Sequence, residues 1–149
     1  MGGVVRHEDG KLRCAWCGTD PIYVRYHDEE WGKPLHDESR LFEMLCLEGA
    51  QAGLSWITIL RKRDNYRRAF DNFDAAKIAR YKAPQIDRLM KDEGIVRNRL
   101  KVQAFIGNAK AVLALHDEGS SLNELLWSFA PKKSARRRKL PAFTPESDA

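Results

Sequence analysis

Long apolar runs are missing from this chain. No segment approaches the roughly 20 residues that a membrane helix needs. Met1 to Lys11 holds no apolar core of the kind a secretory signal carries, so no such signal is expected. Cysteine is scarce: three residues, an odd number, do not make a disulfide framework. A reducing, cytoplasmic setting is therefore the expectation. No segment keeps the period-two alternation of a strand for more than a few residues, and no internal repeat is present. The body of the chain also lacks charge of one sign. Residues 1–131 hold 20 Lys+Arg against 19 Asp+Glu, whereas residues 132–149 hold six against two. The pI of about 9.2 thus comes mainly from a short tail. Net charge is then a weak basis for nucleic-acid binding, and such a claim has to rest on placed residues.

What remains is a chain of 149 residues, 43% hydrophobic and 32% charged, enough for one globular domain and too few for two ordinary ones. Residues 1–12 read as a flexible leader, 13–131 as a helical domain, and 132–149 as a basic tail running into the start of a further helix. In that tail, Thr144-Pro145-Glu146 has the chemistry of a helix N-terminus: a capping hydroxyl, proline at the first position and an acid in the first turn.

Nearly every periodic stretch is helical. Asp37 is a good N-cap for a helix over 38–49, with Leu41, Phe42, Leu45 and Cys46 at i, i+3, i+4 spacing. After a break between Gly49 and Gly53, a second amphipathic helix runs from Ser55 to Phe70 with a basic outer face. Asp74 caps a short helix reaching Tyr81. Pro84 suits the first turn of another, with Gly94 as its C′ residue. A long helix covers 97–116, and Ser120 or Ser121 caps a last one carrying Leu122, Leu125, Leu126 and Phe129. The segment 14–36 is expected to be ordered but irregular.

Three groupings carry chemistry. The first is Arg13 to Gly32, with two of the four Trp, two of the four Tyr, two of the three Cys and one of the four His. It reads either as a hydrophobic strap over the core or as a pocket wall; flat rings with polar tips suit stacking on a planar heterocycle. Cys14, Cys17 and His27 are candidate zinc ligands, but a structural site needs four, and His36 and His116 are remote. The second is Leu47-Glu48-Gly49 to Trp56. A carboxylate near a helix C-terminus is disfavoured by the macrodipole, which suggests a use elsewhere for Glu48. The third is Lys91 to Lys101, two helices joined at Gly94. Such a hairpin can aim backbone N–H groups and a helix N-terminus at a phosphate, with Arg97, Arg99 and Lys101 adding charge; the plain alternative is an αα-hairpin with a solvated basic face.

Read together, these residues resemble a known family. Cys14-x-Trp16, Asp20-Pro21-x-Tyr23-x-x-Tyr26-His27-Asp28-x-Glu30-Trp31-Gly32, Leu41-Phe42-Glu43, Leu47-Glu48-Gly49-x-Gln51-Ala52-Gly53-Leu54-Ser55-Trp56, Lys62-Arg63-x-x-Tyr66-Arg67, Gly94-Ile95-x-Arg97, Asn108-Ala109 and Trp127-Ser128-Phe129 are similar to the motifs of 3-methyladenine DNA glycosylase I, of the helix-hairpin-helix glycosylase superfamily. The resemblance implies an all-α helix-hairpin-helix fold, a monomer, and a monofunctional repair enzyme acting on alkylated double-stranded DNA. It implies that Glu48 hydrogen-bonds the base edge and is the one catalytic candidate. Trp16, Tyr23, Tyr26 and Trp56 then form the base pocket. Gly53 and Leu54 probe the gap left in the duplex, and Gly94, Arg97, Arg99 and Lys101 grip its backbone. Many members of the superfamily use an aspartate beyond the hairpin; Asp117 is no convincing counterpart.

The resemblance also implies structural zinc. Cys14 and His27 would pair with a His and a Cys from a C-terminal segment, so the expectation is a half-site in a chain lacking that segment, with Cys17 as a possible third ligand. Two rivals follow: a catalytically impaired form acting only as a DNA-binding module, and a sensor of free methylated bases.

Overall fold

The computed structural model describes residues 2–131; the basic tail and the helix start expected near Pro145 lie outside the described residues. The described part is built of seven α-helices: α1 (Pro21–Glu29), α2 (Glu38–Ala50), α3 (Trp56–Ala69), α4 (Ala75–Ile78), α5 (Ala83–Leu89), α6 (Arg99–Asp117) and α7 (Leu122–Trp127). Two short strands, β1 (Val4–Arg6) and β2 (Leu12–Cys14), precede them and pair antiparallel, Val5 opposite Arg13.

The helix starts follow local chemistry. Asp37 accepts from the Arg40 N–H at 2.8 Å, Asp74 from the Lys77 N–H at 3.1 Å, and Ser121 from the Glu124 N–H at 3.0 Å. Two expectations need correction. The leader is not loose: residues 4–14 form the β1–β2 hairpin, which a three-residue strand pattern is too short to announce. The aromatic segment is not wholly irregular either, since it holds α1, opened by Asp20 accepting from the Ile22 N–H at 3.0 Å and by Pro21 at the first helical position. This helix buries no residue fully. Its inner face lays Ile22, Tyr23 and Tyr26, all partly buried, against the edge of the core, and two of these three residues are aromatic rings with polar tips rather than aliphatic side chains.

The core lies between α2, α3 and α6. Phe42, Cys46 and Leu47 from α2, Ile59 and Leu60 from α3, and Val102, Phe105 and Ala109 from α6 are buried together with Phe70, Phe73 and Leu89. Phe70 meets Phe105 at a centroid distance of 4.7 Å. Each such side chain contributes about 1.5–3 kcal/mol by leaving water. In its enclosed place, the Cys46 thiol is pushed up to about 12 by burial, so it behaves as a small apolar group.

One carboxylate joins three helices. Glu38, in the first turn of α2, accepts from the Leu122 and Asn123 N–H groups at 2.6 and 2.8 Å and from His116 Nε2 at 2.8 Å. It thereby satisfies the orphan donors at the start of α7. Partial burial pushes its acidity the other way, but these hydrogen bonds hold Glu38 below the ordinary carboxylate value of 4.5. Its stabilising contribution is present above that ordinary value and is lost as pH falls through the lower, folded value. We expect Glu38→Ala to cost about 2 kcal/mol in urea unfolding at pH 7, and the gap from wild type to shrink in acid. An undiminished gap at pH 3 would rule out the carboxylate's charge as the cause.

Candidate functional site

The aromatic residues of the N-terminal region converge. Trp16, on a 3₁₀ turn (Ala15–Cys17), lies 5.3 Å from Tyr23 and 6.4 Å from Tyr26, centroid to centroid, and Tyr26 meets Trp56 edge-on at 5.7 Å. Trp16, Tyr23, Tyr26 and Trp56 thus form one wall, to which α1 contributes the tyrosines and the first residue of α3 the second indole. The wall extends to a ring that sequence reasoning left without a role: Trp31 lies 5.2 Å from Trp16 and stacks on His27 at 5.6 Å. Its place in the Glu30-Trp31-Gly32 motif was the available signal. A hollow of about 270 Å³ opens beside Tyr26, Trp31 and Met44.

Ion pairs fix this wall to the core helices. Arg63 of α3 holds Glu30 in a two-pronged pair at 2.8 and 2.7 Å, Arg61 holds Asp20 at 2.6 Å, and Arg67 holds the buried Glu43 of α2 at 2.6 Å. The Arg63 hydrogen bonds keep Glu30 below the usual carboxylate range despite its partial burial.

Two features mark the wall as a binding surface. Trp56 is only 8% exposed, and its indole N–H has no hydrogen-bond partner among the described residues. The Tyr26 hydroxyl is within electrostatic reach of it but does not complete a hydrogen bond. An unmet buried donor is costly and invites an acceptor. Glu48, exposed on the last turn of α2, supplies the nearby negative charge. Burial first, then the charges of Glu48 and Glu30, push the Tyr26 phenol up, so it stays a neutral donor. Between Glu48 and Trp56 the chain turns at Gly53, whose φ of 78° suits glycine, and leaves Leu54 exposed.

The hairpin is placed as expected, for a different reason. α5 ends at Leu89, so Gly94 is not its C′ residue, and its φ is not positive. Glycine is required there because a Cβ would lie 2.9 Å from Asn65 Cγ of α3. Some of the hairpin's N–H groups turn inward: Gly94 donates to Asp92 Oδ1 at 2.8 Å and Val96 to the Tyr66 hydroxyl at 3.1 Å. The N–H groups of Arg97, Arg99 and Leu100 have no partner among the described residues, at an exposed edge that carries the Arg97 and Arg99 side chains. Lys101 differs from its expected role. Its half-buried ammonium donates to the Ala50 and Ala52 carbonyls at 2.9 and 2.6 Å instead of facing outward.

Cys14 and His27 are adjacent. His27 Nδ1 lies 2.8 Å from Asp28 Oδ1, and its Nε2 lies 3.3 Å from the Cys14 backbone N–H. The consistent assignment is Nδ1–H donating to Asp28 with a lone pair on Nε2, the tautomer a metal-binding histidine uses. Arg13, 5% exposed, orients Asp28 through bonds of 2.9 and 2.8 Å. Two residues of ligand chemistry are therefore neighbours, with the His27 Nε2 lone pair accepting from the Cys14 backbone N–H. No group of three or more potential ligands forms among the described residues. The buried Cys17 donates to the Gly18 carbonyl, and burial pushes its thiol up, away from the thiolate a metal needs.

A mostly helical protein with a wall of rings near a carboxylate, and a hairpin edge with unpaired backbone donors, has the chemistry of proteins that handle a planar base of nucleic acid. Residues 16–149 match the methyladenine glycosylase family, and the chain belongs to that family. It is 46% identical over 142 residues to DNA-3-methyladenine glycosylase 1 of Escherichia coli (strain K12), covering 92% of this chain and 76% of that protein. It is 51% identical over 121 residues to the DNA-3-methyladenine glycosylase of Haemophilus influenzae, covering 81% and 65%. Among solved structures, a 3-methyladenine DNA glycosylase I superposes with a TM-score of 0.77 at 52% identity, over 78% of this chain and 64% of that one. The Staphylococcus aureus enzyme, solved for its 3-methyladenine recognition, gives 0.77 at 42% identity, over 81% and 64%.

The Gly94 contact yields a prediction. Gly94→Ala should cost about 1–3 kcal/mol by overpacking against Asn65. Urea denaturation of the double variant Gly94→Ala/Asn65→Gly should show a loss smaller than the sum of the two single changes; strict additivity would count against the contact.

Proposed function

We propose that this protein is a DNA glycosylase that hydrolyses the N-glycosidic bond of 3-methyladenine in alkylated double-stranded DNA and leaves an abasic site. The observation that carries the reading is the buried Trp56 N–H without a partner among the described residues, set in a wall of rings whose Tyr26 feels the charge of Glu48. Sequence identities of 46% and 51% to two enzymes named for this base support the same reading.

The chemistry follows from the substrate. Methylation at N3 makes the adenine ring cationic and its bond to the sugar weak. On cleavage, the electron pair of the glycosidic bond passes to the base, which leaves neutral. Water then adds its hydroxyl to C1′ and releases a proton. The pocket has to select the cation and hold it out of the stack. Electron-rich ring faces attract a cation, and the Glu48 carboxylate favours a cationic purine over neutral adenine. The Trp56 N–H and the neutral Tyr26 hydroxyl offer hydrogen bonds to the base edge. Extruding a damaged, poorly paired base costs less than extruding a normal one, which adds to selectivity. Glu48 is the one catalytic candidate we name. Asp117 closes α6, eighteen residues beyond Arg99, and takes no part.

Backbone contact falls to Gly94, Arg97 and Arg99 at the hairpin, with Gly53 and Leu54 entering the gap in the duplex. No helix among the described residues is long and apolar enough to cross a membrane. Zinc enters the proposal only as a half-site: Cys14 and His27 are the two residues with ligand chemistry, two short of the four that a structural tie needs. With two ligands of a four-ligand set gathered among the described residues, elemental analysis of the purified chain should give well under one zinc per molecule. One tightly held zinc per chain would contradict the half-site.

The test of function is a base-release assay on this polypeptide with methylated DNA. Free 3-methyladenine is expected. Trp56→Ala should slow its release about 10- to 100-fold, the equivalent of about 1–3 kcal/mol of stacking, and Glu48→Gln should slow it as well. Unchanged release in both variants would defeat the site assignment. Duplex binding without release would leave a DNA-binding module, and binding of free methylated base without salt-sensitive duplex affinity would leave a sensor.

A further inference from the structure

The end of α2 raises an accounting question. A helix leaves its last carbonyls without partners. Here the Gly49 carbonyl accepts from the Ala52 N–H at 3.3 Å and the Gln51 carbonyl from the Leu54 N–H at 2.7 Å. The Ala50 and Ala52 carbonyls take the Lys101 ammonium, at 2.9 and 2.6 Å. Lys101 sits in the first turn of α6, directly after the exposed Arg97 and Arg99. At this place α2 and α6 leave a hollow of about 190 Å³ between Cys46, Gly49, Leu100 and Phe105, so apolar packing does not close the gap. The ammonium crosses it and meets the negative end of the α2 macrodipole, where Glu48 adds charge of the same sign.

We infer that Lys101 is a positioning residue that ties the DNA-gripping hairpin to the loop presenting Gly53 and Leu54, and so holds that loop at the depth needed to extrude the base. This rests on the glycosylase reading above. A phosphate seated on the free N–H groups of Arg97, Arg99 and Leu100 fixes the start of α6. Through Lys101, the same contact fixes residues 50–54 and the approach to Trp56. The two carbonyls take two of the ammonium's three donors and turn it toward the end of α2.

The test compares Lys101→Met, which keeps the apolar stem, and Lys101→Arg, which keeps the donors, in the full chain. Amide hydrogen exchange without DNA should rise about tenfold or more at residues 51–55 in Lys101→Met, with the core unchanged. Lys101→Arg should stay within about threefold of wild type. On methylated duplex, Lys101→Met should keep the salt slope of binding and lose about tenfold in single-turnover release, since a displaced positioning element acts on the rate. Unchanged loop exchange in Lys101→Met, or exchange in Lys101→Arg as fast as in Lys101→Met, overturns the tie. A salt slope smaller by about one, with release falling only in step with affinity, identifies Lys101 as a phosphate contact instead and overturns it too. Should the wild-type chain release no base, the glycosylase reading fails, while the exchange measurement still decides the tie.

Discussion

The turn between α2 and α3 is the constraint on which the rest depends. Ala50 ends one helix and Trp56 begins the next, so five residues reverse the chain. That short connection brings a carboxylate on the last turn of α2 within electrostatic reach of Tyr26, the ring that meets the indole on the first turn of α3. It needs Gly53 at positive φ, and it pushes Leu54 outward. A longer connection would let Glu48 and Trp56 separate. A shorter one would leave no exposed tip. The position of Glu48 at the negative end of its own helix is locally unfavourable, which makes the ammonium of Lys101 a physical complement to the site as well as a strut.

Charge in this protein works mainly as internal fastening. The near balance of acids and bases over residues 1–131 reflects pairing: Asp20 with Arg61, Glu30 with Arg63, Glu43 with Arg67, and Arg13 with both Asp9 and Asp28. Two of these join the ends of α1 to α3, one joins α2 to α3, and one joins the β1–β2 hairpin to α1. α1 buries no residue fully, so its place over the pocket is held by polar ties at both ends, Asp20 at the start and Glu30 just past the end. The rings between those ties, Tyr23 and Tyr26, are partly buried at the edge of the core, and Tyr26 also borders the hollow beside Trp31. The same reasoning leaves Arg97 and Arg99 as exposed basic side chains at the hairpin edge, against a body whose charges are largely paired.

Much of this was legible in the chain itself. The caps at Asp37 and Asp74, the serine pair before α7, and the helical patterns of α2, α3, α5 and α6 are local facts, set by residues close together in the chain. The aromatic cluster and the Glu48-to-Trp56 segment stood out by composition, and their joint use in one wall followed from motifs that run across both. Less visible was α1, because its inner face is made of Ile22, Tyr23 and Tyr26 within a run dense in aromatic, Asp, Gly and Pro residues that reads as irregular. The β1–β2 hairpin was missed because strands of three residues carry almost no periodic signal.

Sequence alone determined the all-α character, the helix starts and the residue types at the pocket, because those depend on neighbours in the chain. Tertiary structure decided what distant partners impose. Gly94 is glycine because Asn65 of another helix leaves no room for a Cβ. Lys101 turns inward because two carbonyls some fifty residues earlier lack donors. Cys14 and His27 meet without a third ligand among the described residues. Each outcome rests on a contact between segments far apart in sequence, and no local pattern records such a contact.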